Sequence, residues 1–547
     1  MQNTNPTMLS EMSDELLKNS NDKNGEPSVI WDKLDKEDDA EDIIWDDDTP
    51  SPIHEFYKDQ TVFITGATGF LGSLLVEKLL RCCPQIRKLI LLIRKGKSNS
   101  VDERVKDYFN DTVFDRLRLT NPNYHEKVDI VTGHIDAQNF DLTPHEEHLL
   151  ISQTTIIFHI AATVRFDEHI RTAYNINVRG TETALALAKR MKRLKSFIHV
   201  STAYCNCDRK YIAETFYPPV FTAKELSIIL QHSSDEEIAL LNEYLLGGKP
   251  NSYTLTKATA EDLVREVAHE LPICVFRPSI VFPTLQEPMP LWNKGSNALI
   301  TSCYTSGTGL LRVSLMDSNI AIDIVPGDRT INAMTALAWY HSTQQPNKER
   351  PTVFNYVSYN DNRVGLGEFL SVALKHAFAA EESCPGILWP ASTYFVSNSF
   401  LYQILFLVLH FTPALVFSLA ERWYNRKPQI MRFYRKLTFL NKAIEYFATK
   451  EWHFKNNNIQ AMVNEMSQAD RIRFDPSLNF RWDTVALNLH RSIALYVMNE
   501  RVTKQYYQTK FIYKKRLHFC IYWFFYVSVA YWFLRTLANL INSYFLL

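Results

Sequence analysis

At 547 residues the chain is too long for one ordinary core, and its 59 basic and 60 acidic residues leave a net charge of −1. Such a length implies two folded units plus tails, and a charge so balanced points away from nucleic acid as a partner. The balance hides an asymmetry: residues 1–50 hold fifteen acids against four lysines and few apolar runs, which predicts a disordered acidic tail over 1–55.

Downstream the hydropathy pattern changes. Short β-branched runs at 61–65, 88–93, 128–132, 155–160, 196–201 and 273–277 alternate with amphipathic stretches, the pattern of βαβ units and a parallel sheet. The expected class is α/β, a Rossmann-like doubly wound parallel sheet over 58–385, with the substrate region in its later part. Pro288, Pro290, Gly307, Gly309 and Gly327 mark loops there. A linker at 380–395 leads to a helical region, 395–505. Two apolar stretches follow the sheet. The run 517–534 lacks Asp, Glu, Lys and Arg and follows Lys514, Lys515 and Arg516, so 517–537 is expected to be a C-terminal transmembrane anchor. The run 400–420 carries His410 and Pro413. Positive flanks put the segments on both sides of it in the cytosol, so a re-entrant hairpin, an interfacial helix or an acyl-binding helix pair fits better than a single crossing. An ordinary buried helix is an equal alternative.

No apolar segment of signal type follows Met1, so the folded part is expected in the cytosol. The eight cysteines form no second pair at zinc spacing, and no metal is expected.

The chemistry starts where the first strand ends. Gly66, Ala67, Thr68, Gly69, Phe70, Leu71 and Gly72 lie between a β-branched strand and a helical period. Glycine there lets the backbone approach a pyrophosphate, which the helix N-terminus attracts. The second strand ends in Arg94 and Lys95 rather than an acid. A guanidinium suits the 2′-phosphate of NADP, so NADPH is the expected cofactor. Asp136 is placed to meet the adenine, and Ala161, Ala162 and Thr163 close the fourth strand beside the cofactor. Tyr253 and Lys257 share a helix face, about fifty residues after the strand-end Ser201 and Thr202, so the ammonium can lie near the phenol and lower its pKa. A phenol so tuned can protonate an oxygen that gains charge as hydride arrives. Cys205, close to this pair in sequence, is read as packing rather than as an acyl carrier.

On these residues, with Asn177 to Thr181, the chain resembles the extended short-chain dehydrogenase/reductase superfamily. The strings His159 to Glu168, His199 to Asn206, Arg277 to Ile280, Glu287 to Trp292 and Asp323 to Asp328 narrow the resemblance to the fatty acyl-CoA reductase family, over about 58–505. That resemblance implies a second, male-sterility-type helical domain at 395–505 and long-chain fatty acyl-CoA as substrate. The implied reaction uses two NADPH and releases a fatty alcohol. It gives Tyr253 and Thr202 the oxyanion, with Ser201 as the alternative hydroxyl, Asn177 a place in the proton relay, and Pro278 and Ser279 the cofactor side. Membrane lipid is the expected partner and an oligomer stays open. The expected location is the endoplasmic reticulum with the catalytic domain in the cytosol, with peroxisome membrane or lipid droplet as alternatives. Two departures stand out: Leu291 occupies a position where the family commonly has glycine, and Ser492 precedes Tyr496 where a glycine is usual. The rival readings are another enzyme of the superfamily, such as an epimerase or a steroid dehydrogenase, and a non-catalytic membrane tether.

Overall fold

Seven short runs, buried on both faces where they lie inside the sheet, form one parallel sheet: β1 (Thr61–Thr65), β2 (Lys88–Ile93), β3 (Val128–Thr132), β4 (Ile156–His159), β5 (Ser196–Val200), β6 (Ile273–Pro278) and β7 (Val353–Tyr356). The computed structural model describes residues 51–95, 100–295, 298–344, 352–379, 390, 392–424, 430–493, 496 and parts of 512–536. The strand order is β7-β6-β5-β4-β1-β2-β3. All pairs are parallel, with Thr65 beside Leu92 on one side and His159 on the other. The order therefore reverses between β1 and β4, which opens a crevice at their carboxyl ends. Phe63, Ile90, Val131, Ile157, Phe197, Val275 and Val353, one from each strand, form a single apolar layer. Leu185, Leu187 and Ala188 from the helix Gly180–Lys189 and Val264 from the helix Ser252–Val267 pack into it. The strand β7 was not among the expected runs. It has four residues, and its Asn355 side chain bonds Lys455 O at 2.8 Å, so a polar residue is buried for a reason that no local pattern reveals.

Compact units do not follow chain order. One unit comprises residues up to 295, 320–365 and 450–481; the other comprises 296–319, 366–449 and the residues from 482 onward. Residues 450–481, expected in the helical region, thus complete the sheet unit. The cause is side-chain amides that satisfy distant carbonyls: Asn360 to Phe454 O at 2.9 Å, Asn362 to Leu478 O at 2.7 Å, and Asn458 to Val353 O at 2.8 Å. The acidic tail also ends earlier than expected. Residues 1–50 lie outside the described residues, but Pro52–Tyr57 is a helix with Ile53 and Tyr57 fully buried. Ser51 caps it and donates to Asp470 at 2.6 Å, which anchors this entry to the same 450–481 segment.

In the second unit, strand Val313–Leu315 pairs in parallel with Tyr394–Val396. The run 400–420 forms neither a hairpin nor an ordinary buried helix. Ser399–Trp423 is continuous, passing through a π turn at Leu407–Phe411, and it has a mean hydropathy of 1.9 with 11% of its most apolar window buried. Among the described residues it is the helix long and apolar enough to cross a membrane. Its buried stripe is narrow: His410, Ala414 and Ser418, at helical spacing, face protein, while Leu407, Val416, Phe417 and Trp423 are exposed. A helix with so few apolar neighbours in the protein is not a core helix. Of the expected anchor 517–537, residues 522, 525, 526, 529, 530, 533 and 537 lie outside the described residues, and the others are helical.

Candidate functional site

The turn after β1 is built by close approach. Gly66 has φ +75°, and a Cβ there would lie 2.7 Å from Ala161 N, so this position admits no side chain. At Gly72 a Cβ would meet Gly66 O at 2.1 Å, so glycine lets the helix Phe70–Cys82 pack onto the turn. Gly69 caps that helix without any side-chain hydrogen bond, which leaves its first N–H groups to face the crevice. A backbone cradle, a missing cap and a neighbouring β4 end fit a dinucleotide pyrophosphate. Ala161, Ala162 and Thr163 follow β4 at this edge and are partly exposed, and Asp136 is exposed in the turn after β3. Arg94 and Lys95 are exposed at the end of β2. Arg104, which the sequence pattern did not single out, donates to Arg94 O at 3.0 Å and adds a third cation to this corner.

Across the crevice lies the helix Ser252–Val267, whose Asn251 cap accepts from Thr254 N at 2.9 Å. The expected helix face is present, but its electrostatics differ from the expectation. Lys257 is buried, and its Nζ donates to Val200 O at 2.7 Å, the last residue of β5. A buried ammonium needs an acceptor, and the strand-end carbonyl supplies it. Burial pushes the Tyr253 phenol up, with Cys205 adding to the rise and the neighbouring Thr202 hydroxyl opposing it. Burial, rather than Lys257, therefore dominates the resting phenol. Burial lowers Lys257 itself to about 8, against an opposing pull from Glu261. Phe166 stacks on the Tyr253 ring at 6.1 Å.

Thr202 Oγ1 accepts from Tyr204 N at 3.2 Å, so its own proton is directed away from that N–H. Ser201 is buried beside Glu261 without a well-aligned hydrogen bond, and Ser279, after Pro278 at the end of β6, is likewise buried. Asn177 is engaged with backbone at the end of β4. Its Nδ2 donates to Thr163 O at 3.2 Å and Thr256 Oγ1 at 3.0 Å, while Oδ1 accepts from Thr163 N at 2.9 Å. It braces the β4 loop against the Tyr253 helix. Cys205 donates to Glu261 at 3.2 Å, and burial pushes its thiol up, which agrees with a packing role. Beneath the turn, His159 bridges Thr65 at 2.9 Å and Thr181 at 3.2 Å. Because Thr181 gives its proton to Asn177 O at 2.7 Å, it must accept from His159 Nε2, so the ring is a neutral Nε2–H tautomer. Burial lowers this histidine to about 3, in keeping with that neutrality.

Family comparison joins these two walls. Family models described as "Male sterility protein" match residues 64–334, the first being an NAD-binding model, and residues 409–500. The Rattus norvegicus protein named fatty acyl-CoA reductase 1 is 33% identical over 455 residues, 82% of this chain and 87% of its own. The chain belongs to the fatty acyl-CoA reductase family. The Drosophila melanogaster reductase named wat is 32% identical over 79% of this chain and 83% of its own. Among solved structures, the reductase domain of a nonribosomal peptide synthetase from Mycobacterium tuberculosis has a TM-score of 0.53 at 18% identity, covering 82% of this chain and 93% of that one, a likeness of fold. As a family member the chain is an oxidoreductase with a nicotinamide-nucleotide-binding domain, which sets aside the epimerase, steroid dehydrogenase and tether alternatives.

The family string Glu287 to Trp292 forms a loop clamped to the nucleotide helix. Burial would raise the Glu287 carboxyl, but Lys78 at 2.8 Å and Arg81 at 2.7 Å outweigh it and hold it well below the usual range. Trp292 stacks on Phe70 at 5.4 Å and donates to Asp111 at 3.2 Å, and Asp328 takes the backbone N–H groups of Leu285, Gln286 and Glu287. Within this reductase loop Leu291 has φ +62°, which explains why glycine is common at the position. Replacing Leu291 by Val is expected to lower stability by about 1–2 kcal/mol, since a β-branched residue resists positive φ. Replacement by Gly should stay within about 1 kcal/mol of the parent, because relief of strain offsets lost packing and chain entropy. Denaturant unfolding of both variants measures the difference, and equal values would remove the strain argument.

Proposed function

We propose that the protein reduces a long-chain fatty acyl-CoA to a primary fatty alcohol, consuming two NADPH and two protons and releasing CoA. The observation that carries this reading is the buried Tyr253 phenol beside Thr202, across the crevice from the uncapped glycine turn, in a chain of this family. Bound NADPH supplies the hydride in each step. Burial keeps Tyr253 neutral at physiological pH, so it is a proton donor, and Thr202 offers a second hydroxyl to the same oxygen. Lys257, a cation below about pH 8, stabilises the phenolate left when the proton moves. The first reduction gives a thiohemiacetal that expels the CoA thiol, and the same residues protonate the aldehyde oxygen in the second. With its thiol held protonated and bonded to Glu261, Cys205 supports a route without an acyl-enzyme. Tyr253→Phe should bind NADPH nearly as the parent does and lose about 10²- to 10⁴-fold in turnover. Turnover within a few-fold of the parent would sink the assignment.

The preference for NADPH rests on Arg94, Lys95 and Arg104 at the end of β2. Arg94→Glu is expected to raise KM for NADPH more than for NADH, because the 2′-phosphate loses a cation and gains a repulsive neighbour. An unchanged ratio of the two constants would mean that this corner does not read the phosphate.

Attachment to a membrane, taken here as the endoplasmic reticulum with the sheet unit in the cytosol, has two supports. One is the apolar run 517–534 after Lys514, Lys515 and Arg516. The other is the exposed helix Ser399–Trp423, whose flanks return to one place. Before it, Tyr394–Val396 pairs with Val313–Leu315; after it, in the helix Ile430–Ala448, Tyr434 bonds Leu310 O at 3.3 Å and Ala448 O accepts from Asp317 N at 2.9 Å. Two flanks bound to one short segment favour a helix that dips into one leaflet over one that crosses. Arg432, Arg435, Lys436 and Lys442 on the returning helix suit anionic headgroups. Deleting 511–547 should therefore release only part of the protein from membranes, measured by sedimentation with carbonate-washed vesicles. Complete release would remove the role given to Ser399–Trp423.

A further inference from the structure

The Tyr253 face of its helix does not stop at Lys257. Residues 253, 257 and 261 recur at intervals of four, so Glu261 extends the same face one turn further. Glu261 is buried and held in one orientation: Arg277 Nε reaches Oε1 at 2.9 Å and Nη2 reaches Oε2 at 2.6 Å, a two-point clamp. Arg277 has no exposed surface and gives two further N–H groups to Ala213 O at 3.2 Å and Thr215 O at 3.0 Å. From the other side, Cys205 donates to the same Glu261 oxygen at 3.2 Å, and Ser201 lies beside it. The carboxylate thus touches the turn that carries Thr202 as well as the helix that carries Tyr253.

We propose that Glu261 is a positioning residue for the reduction: clamped by Arg277 one turn beyond Lys257 on the same helix face, its carboxylate is the countercharge for the buried Lys257 ammonium that Val200 O holds at the carboxyl end of β5. The proposal rests on the reading of Tyr253 and Lys257 given above. The groups around Lys257 leave few alternatives. Tyr253 on its own helix is held neutral, His159 of β4 and His199 of β5 are held neutral by burial with Lys257 opposing their charge, and Cys205 keeps its proton. Among the described residues that act on Lys257, Glu261 supplies the carboxylate. Burial draws an amine down, to about 5–6 in the extreme, and a lysine neutral at pH 7 could not steady a phenolate. Lys257 at about 8 is the balance of burial against Glu261.

The test is the pH profile of turnover on the full-length protein with palmitoyl-CoA and NADPH. Activity needs the ammonium, so it is present below the Lys257 pKa and falls as pH rises through it. The parent is expected to show a basic limb near 8. In Glu261→Gln that limb should move down by about one unit or more, while Glu261→Asp should restore it to near the parent value. A limb that stays in place while turnover or thermal stability drops at every pH would overturn the proposal and leave Glu261 a purely structural residue. Glu261→Gln strands the Arg277 charge, so the double variant Glu261→Gln with Arg277→Gln, which removes both charges, is read in the same way. If neither folds, the parent limb decides: near 8 supports the proposal, and below about 7, where burial alone takes a lysine, overturns it. A parent profile with no basic limb, or a limb that survives in Lys257→Met, would instead remove the role given to Lys257, a failure distinct from that of Glu261.

Discussion

Arg277 has no exposed surface, and the sheet's working edge is arranged around that fact. A guanidinium out of water is tolerable only when its charge is met and its N–H groups are bonded, and here Glu261 meets the charge in two places while Ala213 O and Thr215 O each take a further N–H. Because those partners come from different parts of the chain, one ion pair ties the end of β6, the Tyr253 helix, and the segment after residue 211. Breaking one side of such a pair costs about 3–5 kcal/mol, more than a typical surface contact by severalfold. The tie also propagates. Glu214, between the two carbonyls that Arg277 uses, accepts from Asn355 N at 3.0 Å and Asn458 N at 2.7 Å, so the same segment fastens residues 450–481 to β7.

The nucleotide side obeys a constraint of a different kind, steric rather than electrostatic. Gly66 and Gly72 are places where a Cβ would enter backbone, and the space kept free is what lets Ala161 and the helix Phe70–Cys82 close around one turn. Behind this turn, the run Thr65, His159, Thr181 and the Asn177 carbonyl satisfies each buried polar atom in one proton arrangement. Asn177 then uses its side chain to hold the loop at Thr163 against Thr256, so the two walls of the crevice share a brace. Rigidity of this sort is what a hydride transfer needs, since the reacting atoms must be held at a fixed approach.

How much of this is legible in the sequence depends on the range of the interaction. Gly66 to Gly72 and Tyr253 to Lys257 are readable because their reasons are local: a strand feeding a helix, and a spacing of four on one face. Six of the seven strands have β-branched runs of their own, whereas β7 is four residues with a buried Asn355 and draws its place from Lys455, a hundred positions away. The reach of 450–481 into the sheet unit is hidden for the same reason, since it depends on amides such as Asn360 and Asn362 finding particular carbonyls. At the site, Lys257 was legible as a partner of Tyr253 but its bond to Val200 O was not, because strand ends meet helices only after the chain has folded. Glu261 could have been found by carrying the interval of four one step further. Leu291 is the reverse case: the sequence marks it as unusual, and only its φ of +62° says why.

Protonation states at the edge of the sheet sort by environment rather than by residue type, and that sorting limits the chemistry. Burial keeps Tyr253 and Cys205 protonated and His159 neutral, at Cys205 against the pull of Arg277 and Lys249. Glu261 stays charged because Arg277 outweighs its burial. The result is a crevice with a neutral phenol, a cationic amine and no thiolate. Covalent catalysis would need a nucleophile freed of its proton, and Cys205 is bonded to a carboxylate that makes losing it harder. Proton donation needs the opposite, an acid kept intact until an oxygen develops charge, and Tyr253 beside Thr202 meets that condition. The physical setting thus favours successive hydride reductions over an acyl-enzyme, and it does so through the same buried ion pair that holds the walls of the site in place.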